Sequence, residues 1–308
     1  MIYGQTDKYE LLKLHYKCLD SRPSIKTINT QLVDGSAFDA LVANGLVKLE
    51  NRLDEQTLEQ IFTKCKQFVE KKQQFNRIRK HSAETLDDIQ SGVFKYFSQQ
   101  ELDSPDFILE NHVKLLAIKD PLLAFPDLID IALAEPILSF VSKYHGAVPL
   151  LTYLKITISF PNSANPIDTQ NFHKDYGAHK ILKVVVPLNE FTDTHSGPFT
   201  YVLGSHTQSY PGVDTKSRFS DQEILTFFQP DAIYECTGTR GDVFLVESTG
   251  LHKGKPPRNC RIVLIFNFCL HPEVGFPWNK LKISRMSLQK LSHLQRSAIS
   301  KEVFDIID

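Results

Sequence analysis

A histidine and an aspartate two positions apart are the first residues of this sequence whose types and spacing suggest chemistry. His173 and Asp175 lie in the segment Gln170–Asp175. Residues two apart on an extended segment point to the same side, so this imidazole and carboxylate could bind one metal ion. The chain has 11 histidines, so one H-x-D by chance is unsurprising. Taken alone, the pair fits a surface turn equally well.

A second histidine and an arginine strengthen the metal hypothesis. His252 follows the apolar run Val243–Val246, and Arg261 begins the apolar run Arg261–Phe268. An unpaired charge at the start of a buried strand is costly, so Arg261 indicates a bound anion. Two histidines and one carboxylate on one face of a metal, with open positions opposite, form the facial triad of non-heme iron(II) oxygenases. The planar guanidinium would bind a cosubstrate carboxylate in this scheme.

Strands must position these residues, because alternating segments dominate the second half of the chain. Six of them follow one another without helical repeats between: Leu151–Phe160, Ile181–Pro187, Phe199–Leu203, Ile233–Cys236, Val243–Glu247 and Arg261–Phe268. This succession, with one helix-like interruption at Asp221–Phe228, is typical of an antiparallel sandwich or jelly roll rather than a βαβ fold.

Helical patterns dominate the first half. A short helix over Phe38–Gly45 ends at an Asn-Gly stop, and Leu46–Leu49 follows as a strand. Asp54 is expected to cap a longer helix. The polar segment Lys71–Glu110 predicts a loop-rich insert or a lid, and Phe125–Tyr144 is again helical, with an interruption at Pro136. Helices before a β core, with helical spacing again near the end of the chain, predict an α+β fold.

The composition excludes several classes of protein. The 308 residues carry 35 Lys and Arg against 36 Asp and Glu, a net charge of −1. This balance argues against a nucleic-acid-coating protein and a polybasic membrane binder. The apolar runs are too short to span a bilayer, and the N-terminal segment resembles no secretory signal. Five distant cysteines without a C-x-x-C favour reduced thiols, so we expect a cytoplasmic protein.

Motifs spread from about Phe38 to Phe268 carry a family resemblance. They are the helix–Gly–strand–helix start Phe38–Asp54, the helix Ile131–Val141, Phe172–Asp175, Leu182–Asn189, the Gly-Pro and Gly-Ser-His run Ser196–His206, and Gly241-Asp242 leading to His252. In these motifs the chain resembles the phytanoyl-CoA dioxygenase-like branch of the iron(II)/2-oxoglutarate-dependent oxygenases.

The resemblance implies a fold, a set of cofactors and a reaction. The fold would be a double-stranded β-helix, a jelly-roll or cupin-like barrel with N-terminal and flanking helices. Iron(II) would be bound by His173, Asp175 and His252, and Arg261 would bind the C5 carboxylate of 2-oxoglutarate, with Arg258 as its competitor. With dioxygen, the enzyme would hydroxylate a small molecule and release succinate and carbon dioxide. Related halogenases lack the carboxylate, so Asp175 favours hydroxylation or another oxidation.

The resemblance also suggests a domain organisation. It comprises an N-terminal arm over residues 1–35 and a single oxygenase domain over 36–276. That domain divides into a helical part, 36–146, and a jelly-roll core, 147–270. A helical tail is expected over 277–308, where leucines recur three apart. The sequence indicates neither the substrate nor an oligomeric state.

Three further residues are candidates for contacts with the cosubstrate. Gln170 lies beside the expected ligands and could donate a hydrogen bond to 2-oxoglutarate. Tyr153 and Lys155 share one face of the strand Leu151–Phe160 and could line the mouth of the barrel. A solvated sheet face would explain the same alternation.

Two other functions remain open at this stage. One is a non-catalytic jelly-roll protein that keeps the fold and serves as a binding or scaffold protein. The other is a cupin-like metalloenzyme that does not use 2-oxoglutarate, in which Arg261 would be structural. A missing triad residue would favour the first, and none is missing.

Overall fold

The computed structural model describes residues 7–25, 32–49, 53–78, 94–97, 115–118, 120–161, 166, 168–212, 215–274 and 280–308. Its helices are α1 (Lys8–Ser21), α2 (Gly35–Asn44), α3 (Glu55–Ile78), α4 (Pro121–Ala124), α5 (Leu128–Ala132), α6 (Glu135–His145), α7 (Asp221–Phe227), α8 (Arg285–Lys290) and α9 (His293–Ser297). Its strands are β1 (Leu46–Leu49), β2 (Phe94–Phe97), β3 (Leu115–Ile118), β4 (Leu150–Ser159), β5 (Leu182–Pro187), β6 (Phe199–Val202), β7 (Ile233–Cys236), β8 (Val243–Glu247), β9 (His252–Gly254), β10 (Arg261–Cys269), β11 (Leu281–Ser284) and β12 (Phe304–Ile307).

Two sheets form the β core. One has seven strands in the order β1-β8-β5-β10-β4-β3-β2, and the other has three in the order β7-β6-β9. All pairs in both sheets are antiparallel except β2 with β3. All six strand-like segments of the sequence are strands, with ends that differ by a residue or so. The predicted α+β class with an antiparallel core is therefore confirmed.

Strand β10 shows how the alternating pattern divides the core. Ile262, Leu264 and Phe266 pack on the outer face of the large sheet in a cluster that includes buried residues of α2, α3 and α6. Val263 lies on the other face, in a cluster with Tyr201 of the small sheet. The two sheets therefore face each other, and Arg261 begins β10 on the inner face.

Both ends of the chain differ from the expectation. The N-terminal segment contains α1, whose Leu11 and His15 are buried. The Arg22 Nε donates to Val148 O at 2.7 Å, and its guanidinium also donates to Ser297 O. The expected C-terminal helical tail contains two short helices, flanked by strands β11 and β12, which pair in parallel. The N-terminal segment is therefore packed on the core rather than loosely attached.

Two segments of the first half can be compared with the expectation. The segment Lys71–Glu110, expected to be a loop-rich insert or a lid, begins with the last turns of α3, which ends at Ile78, and also contains β2. The remainder of that segment lies outside the described residues. The segment Phe125–Tyr144, expected to be helical with an interruption at Pro136, contains two helices, α5 and α6, with the break just before Pro136. Pro136 stands in the first turn of α6, where a missing N–H costs no hydrogen bond.

The remaining sequence features bear on redox state and membranes. None of the five cysteines, at positions 18, 65, 236, 260 and 269, forms a disulfide bond. Across the described ranges, every helix is too short or too polar to cross a lipid bilayer.

Two buried histidines, His15 of α1 and His145 of α6, lead us to expect a loss of stability in acid. The His15 ring lies 6.5 Å from that of His145 and 5.0 Å from that of His179. Burial, with His179 and Lys180 nearby, lowers the pKa of His15 from 6.5 to about 4, and burial lowers that of His145 to about 3. Below pH 6.5 the unfolded chain therefore takes up protons that the folded chain refuses, so the free energy of unfolding falls with pH.

We expect each of the two histidines to contribute about 1–2 kcal/mol to the fall in stability between pH 6.5 and about pH 5. Urea denaturation of the wild type and of His15→Phe at the two pH values measures this contribution. The variant should lose less stability on acidification by that amount. An equal loss in both proteins would contradict the assignment.

Candidate metal centre and anion pocket

Backbone hydrogen bonds hold the three candidate ligands together. His173 and His252 face each other in an isolated antiparallel bridge, in which each N–H donates to the other's carbonyl at 2.9 Å. The Asp175 N–H donates to Ser248 O, also at 2.9 Å. His252 is the first residue of β9. The backbone thus fixes the positions of the ligands.

A buried glutamate holds the turn that leads to His252. Glu247 accepts hydrogen bonds from Ile181 N at 3.0 Å, Thr249 Oγ1 at 2.9 Å and Tyr144 OH at 2.8 Å. Burial raises the pKa of its carboxyl group. Glu247 was not among the residues predicted from the sequence. A charged residue at the end of an apolar strand nevertheless indicates a buried group that needs hydrogen-bond partners.

The side chains of the three candidates meet in a geometry that suits a metal ion. One ligand atom from each of His173, Asp175 and His252 lies within 4.8 Å of the other two. The Nδ1 of His173 is 2.9 Å from Asn171 O, and that of His252 is 3.0 Å from Gly250 O. A carbonyl only accepts, so both Nδ1 atoms carry the proton and both Nε2 lone pairs remain for a metal.

The electrostatics of the site favour the protonation states that a metal needs. Burial lowers the pKa of His173 to about 4 and that of His252 well below its ordinary value. Burial opposes ionisation of Asp175, but Lys183 and the two histidines outweigh it, so the pKa of this carboxyl lies below its usual range. Neutral imidazoles and a carboxylate are the ligand forms.

A lysine that the sequence analysis missed touches the same site. Lys183 of β5 is buried, and its Nζ lies 2.6 Å from Asp175 Oδ2 and 3.1 Å from His252 Nε2. In the sequence it is the single charged residue of the apolar strand Leu182–Pro187. A lysine in such a strand could have been predicted to pair with an acidic residue, because lysine is rarely buried without a partner.

Arg261 lies in a pocket that suits an anion. Its Nη1 donates to Gly197 O at 3.1 Å and its Nη2 to Ser159 Oγ at 3.0 Å. Within the described part of the chain, its Nε has no hydrogen-bond partner and its guanidinium no carboxylate. Burial lowers its pKa to about 10. By contrast, Arg258 is exposed in the loop before β10.

The neighbouring strand leaves room for the guanidinium. A Cβ atom on Gly254 would lie 2.5 Å from Nη1 and 2.6 Å from Nη2 of Arg261, closer than real carbon atoms approach. Gly254 is two residues after His252 on β9, a separation of roughly 7 Å along a strand. The guanidinium of Arg261 therefore lies next to β9, the strand that begins with the candidate ligand His252.

Two of the other candidates share one face of the large sheet, and the third lies outside it. Tyr153 and Lys155 are half-buried on β4, and Lys155 is the register partner of Ile265 on β10. Ser159, further along the same face of β4, is the residue that bonds Arg261. Gln170 is buried, three residues before His173.

Comparisons with known proteins identify the fold. No protein-family model matches the chain, and no curated protein sequence does. It is similar to the non-heme α-ketoglutarate-dependent carbocyclase SnoK from nogalamycin biosynthesis, with a TM-score of 0.51, 15% identity, and 78% of this chain and 85% of SnoK covered. It is also similar to HygX from Streptomyces hygroscopicus, with nickel and 2-oxoglutarate bound. The TM-score is 0.50, the identity is 14%, and 81% of this chain and 91% of HygX are covered.

A third structure agrees with these two. EctD from S. alaskensis, with 2-oxoglutarate and 5-hydroxyectoine, gives a TM-score of 0.50, 14% identity, and 77% of this chain and 76% of EctD covered. At such identities the likeness shows a common fold alone. The chain therefore has the fold of these three proteins.

Proposed function

We propose that the protein is an iron(II)- and 2-oxoglutarate-dependent oxygenase of the phytanoyl-CoA dioxygenase-like kind, which hydroxylates a small molecule and releases succinate and carbon dioxide. The observation that carries the proposal is the triad of His173, Asp175 and His252 with the buried Arg261 beside it. The cofactors named for SnoK, HygX and EctD support it, because these proteins share the fold.

The residues of the triad fit iron. Nε2 of His173, Nε2 of His252 and the Asp175 carboxylate would bind the ion on one face and leave the opposite face open. The chemistry that bound iron supplies is the activation of dioxygen, coupled to decarboxylation of 2-oxoglutarate. The chain's own contribution is to orient both imidazoles through Asn171 and Gly250 and to keep water from the buried ligands.

Arg261 fits the distal carboxylate of the cosubstrate. A buried guanidinium that meets only neutral oxygens of Gly197 and Ser159 retains most of its capacity for a planar, bidentate anion. A five-carbon dicarboxylate could extend from the metal past Gly254 to this group. Gln170, Tyr153 and Lys155 would contribute to the walls of the cavity.

The proposal also covers organisation and location. The two facing sheets would form the double-stranded β-helix of a single domain over residues 36–276, with a core over 147–270 and flanking segments packed against it. No disulfide bond joins the five cysteines, which is consistent with a cytoplasmic enzyme.

One observation favours a second candidate function. The Lys183 ammonium contacts two of the three ligand residues, in the region that a metal would occupy. A non-catalytic binding protein with this fold would use such a lysine permanently in place of the metal. The two candidates differ in whether the chain turns over 2-oxoglutarate.

Succinate formation tests the proposal. The purified protein, supplied with iron(II), 2-oxoglutarate and oxygen, should produce succinate slowly even without its substrate, and both iron and oxygen should be required. His293→Ala, at an exposed histidine in the first position of α9, should keep this activity. No succinate with a broad panel of small molecules, together with no binding of 2-oxoglutarate, would favour the binding protein.

A further inference from the structure

The Lys183 ammonium uses the same atoms that a metal would use. It lies 2.6 Å from Asp175 Oδ2 and 3.1 Å from His252 Nε2, and its side chain is only 10% exposed. The His252 Nδ1 proton points to Gly250 O, so the Nε2 lone pair accepts from the ammonium. A divalent ion that binds these two residues would meet the lysine charge at contact distance. The lysine and the metal therefore exclude each other at this position.

A second polar position lies within reach of the same lysine. Asn267 of β10 is the register partner of Lys183 on β5, so the two side chains stand about 5 Å apart on one face of the sheet. The Asn267 Oδ1 is buried and has no hydrogen-bond partner among the described residues. Its Nδ2 donates to Glu273 Oε1 at 3.2 Å, as does Thr152 Oγ1 at 3.2 Å. An unsatisfied acceptor and a buried carboxylate thus lie beside the lysine stem.

The charge on Glu273 responds to the metal-binding residues. Burial, with the Asp175 charge, raises the pKa of Glu273 to about 7, and Lys183 acts in the opposite direction. The carboxylate is therefore close enough to Lys183 to be stabilised by its ammonium. A Lys183–Glu273 pair would be internally neutral, which is the arrangement that a buried lysine needs.

We propose that Lys183 is a built-in competitor of the metal: its ammonium binds Asp175 and His252 until a metal takes them, and then moves to Asn267 Oδ1 and Glu273. This inference rests on the proposed function, because it assumes that the triad binds a metal. The affinity for the metal is then set by the difference between the two positions of the lysine. Removing Lys183 should therefore tighten metal binding. Weakening the alternative position of its ammonium, at Asn267 and Glu273, should weaken metal binding.

Metal titration of the wild type and five variants tests the competition. Calorimetric titration of the chelator-treated full-length protein with Ni(II) should give a dissociation constant about tenfold or more lower in Lys183→Met than in the wild type, since a charge-assisted contact no longer opposes the ion. Lys48→Met is the matched control, because Lys48 forms a 2.8 Å ion pair with the buried Asp242 on the same sheet. It should bind Ni(II) as the wild type does.

Replacing Glu273 should change the affinity for Ni(II) in the opposite direction. Glu273→Gln keeps the shape of the side chain and removes its charge, so it should raise the Ni(II) dissociation constant several-fold. In the Lys183→Met background, Glu273→Gln should leave the Ni(II) dissociation constant unchanged, because there is no lysine ammonium for Glu273 to bind. An unchanged or lower dissociation constant in Glu273→Gln alone would overturn the inference, even if Lys183→Met failed to fold.

The remaining outcomes separate this inference from the proposed function. Ni(II) binding that His173→Ala abolishes but Lys183→Met does not tighten would overturn the competition and leave the metal site intact. Binding by Lys183→Met but not by the wild type would support the competition and favour the non-catalytic candidate. No binding by any of these proteins would overturn both.

Discussion

Alanine at His173, Asp175 or His252 is expected to remove metal binding and succinate formation. Each residue supplies one of three ligand atoms that lie within 4.8 Å of one another, and no other described group of histidine, cysteine and acidic residues has this geometry. Loss of a residue that merely orients a ligand already costs about 10–100-fold in metal affinity, so loss of a ligand should cost more than about a hundredfold.

The fold should survive the histidine substitutions. The bridge between His173 and His252 consists of backbone hydrogen bonds, and alanine keeps both. Asp175→Ala differs, because it leaves the Lys183 ammonium buried without its carboxylate. We therefore expect this variant to melt at a lower temperature than the histidine variants. Asp175→Ala combined with Lys183→Met should recover stability without recovering metal binding.

Metal analysis and calorimetry with Fe(II) under nitrogen would measure the loss, and circular dichroism would monitor the fold. His293→Ala is the matched control, because His293 is exposed at the first position of α9 and does not belong to the group of three. It should bind iron as the wild type does. Unchanged metal content in all three triad variants would refute the assignment.

The inner and outer faces of the large sheet could be predicted from the sequence, because side chains along a strand point alternately to its two faces. On β10, Ile262 and Leu264 pack outside while Val263 packs inside, as alternation from Arg261 requires. The pairing of His173 with His252 could not be obtained in this way. These residues are 79 positions apart (252 − 173), and hydrophobic spacing carries no information about which strands meet.

Polar residues inside apolar strands were the signals that the sequence contained but did not resolve. Lys183 and Glu247 are visible as anomalies in β5 and β8, yet their partners lie on other elements. Glu273, which follows β10 in an irregular segment, has no pattern at all. Such a residue can be recognised only once the fold brings Asn267 next to it.

The errors in secondary structure have simple causes. Helix α3 continues to Ile78 although its apolar spacing fades, because lysine, glutamine and glutamate favour helices without any burial. Strands β11 and β12 have four residues each, which is too few for an alternating pattern to be distinguished. Periodicity detects elements whose apolar residues recur over several repeats, and the sequences of these segments contain no such run.

Replacing Arg261 is expected to cause the largest loss of 2-oxoglutarate affinity. The guanidinium is buried and donates only to the neutral oxygens of Gly197 and Ser159. A carboxylate that joins it would form a desolvated, bidentate pair, which is the strong kind of contact. Truncating one partner of such a pair costs about 3–5 kcal/mol. Arg261→Ala should therefore raise the dissociation constant of 2-oxoglutarate at least about a hundredfold.

Arg258, in the loop that precedes β10, provides the matched control. Its side chain is exposed, and only its backbone N–H is fixed, by a hydrogen bond to His195 O at 2.8 Å. An exposed charge contributes little, so Arg258→Ala should change the dissociation constant several-fold at most. Arg261→Lys should fall between the two, because lysine keeps the charge but lacks the planar fork.

Calorimetric titration with 2-oxoglutarate, using Ni(II) in place of iron, distinguishes the arginines. Metal binding itself should persist in Arg261→Ala, because the residue contributes no ligand atom to the triad. Gly254→Ala should also weaken 2-oxoglutarate binding, since its methyl group would displace the guanidinium while the charge remains. A larger effect of Arg258→Ala than of Arg261→Ala would move the carboxylate site to the loop, and the orphaned guanidinium inside the barrel would then need another anion.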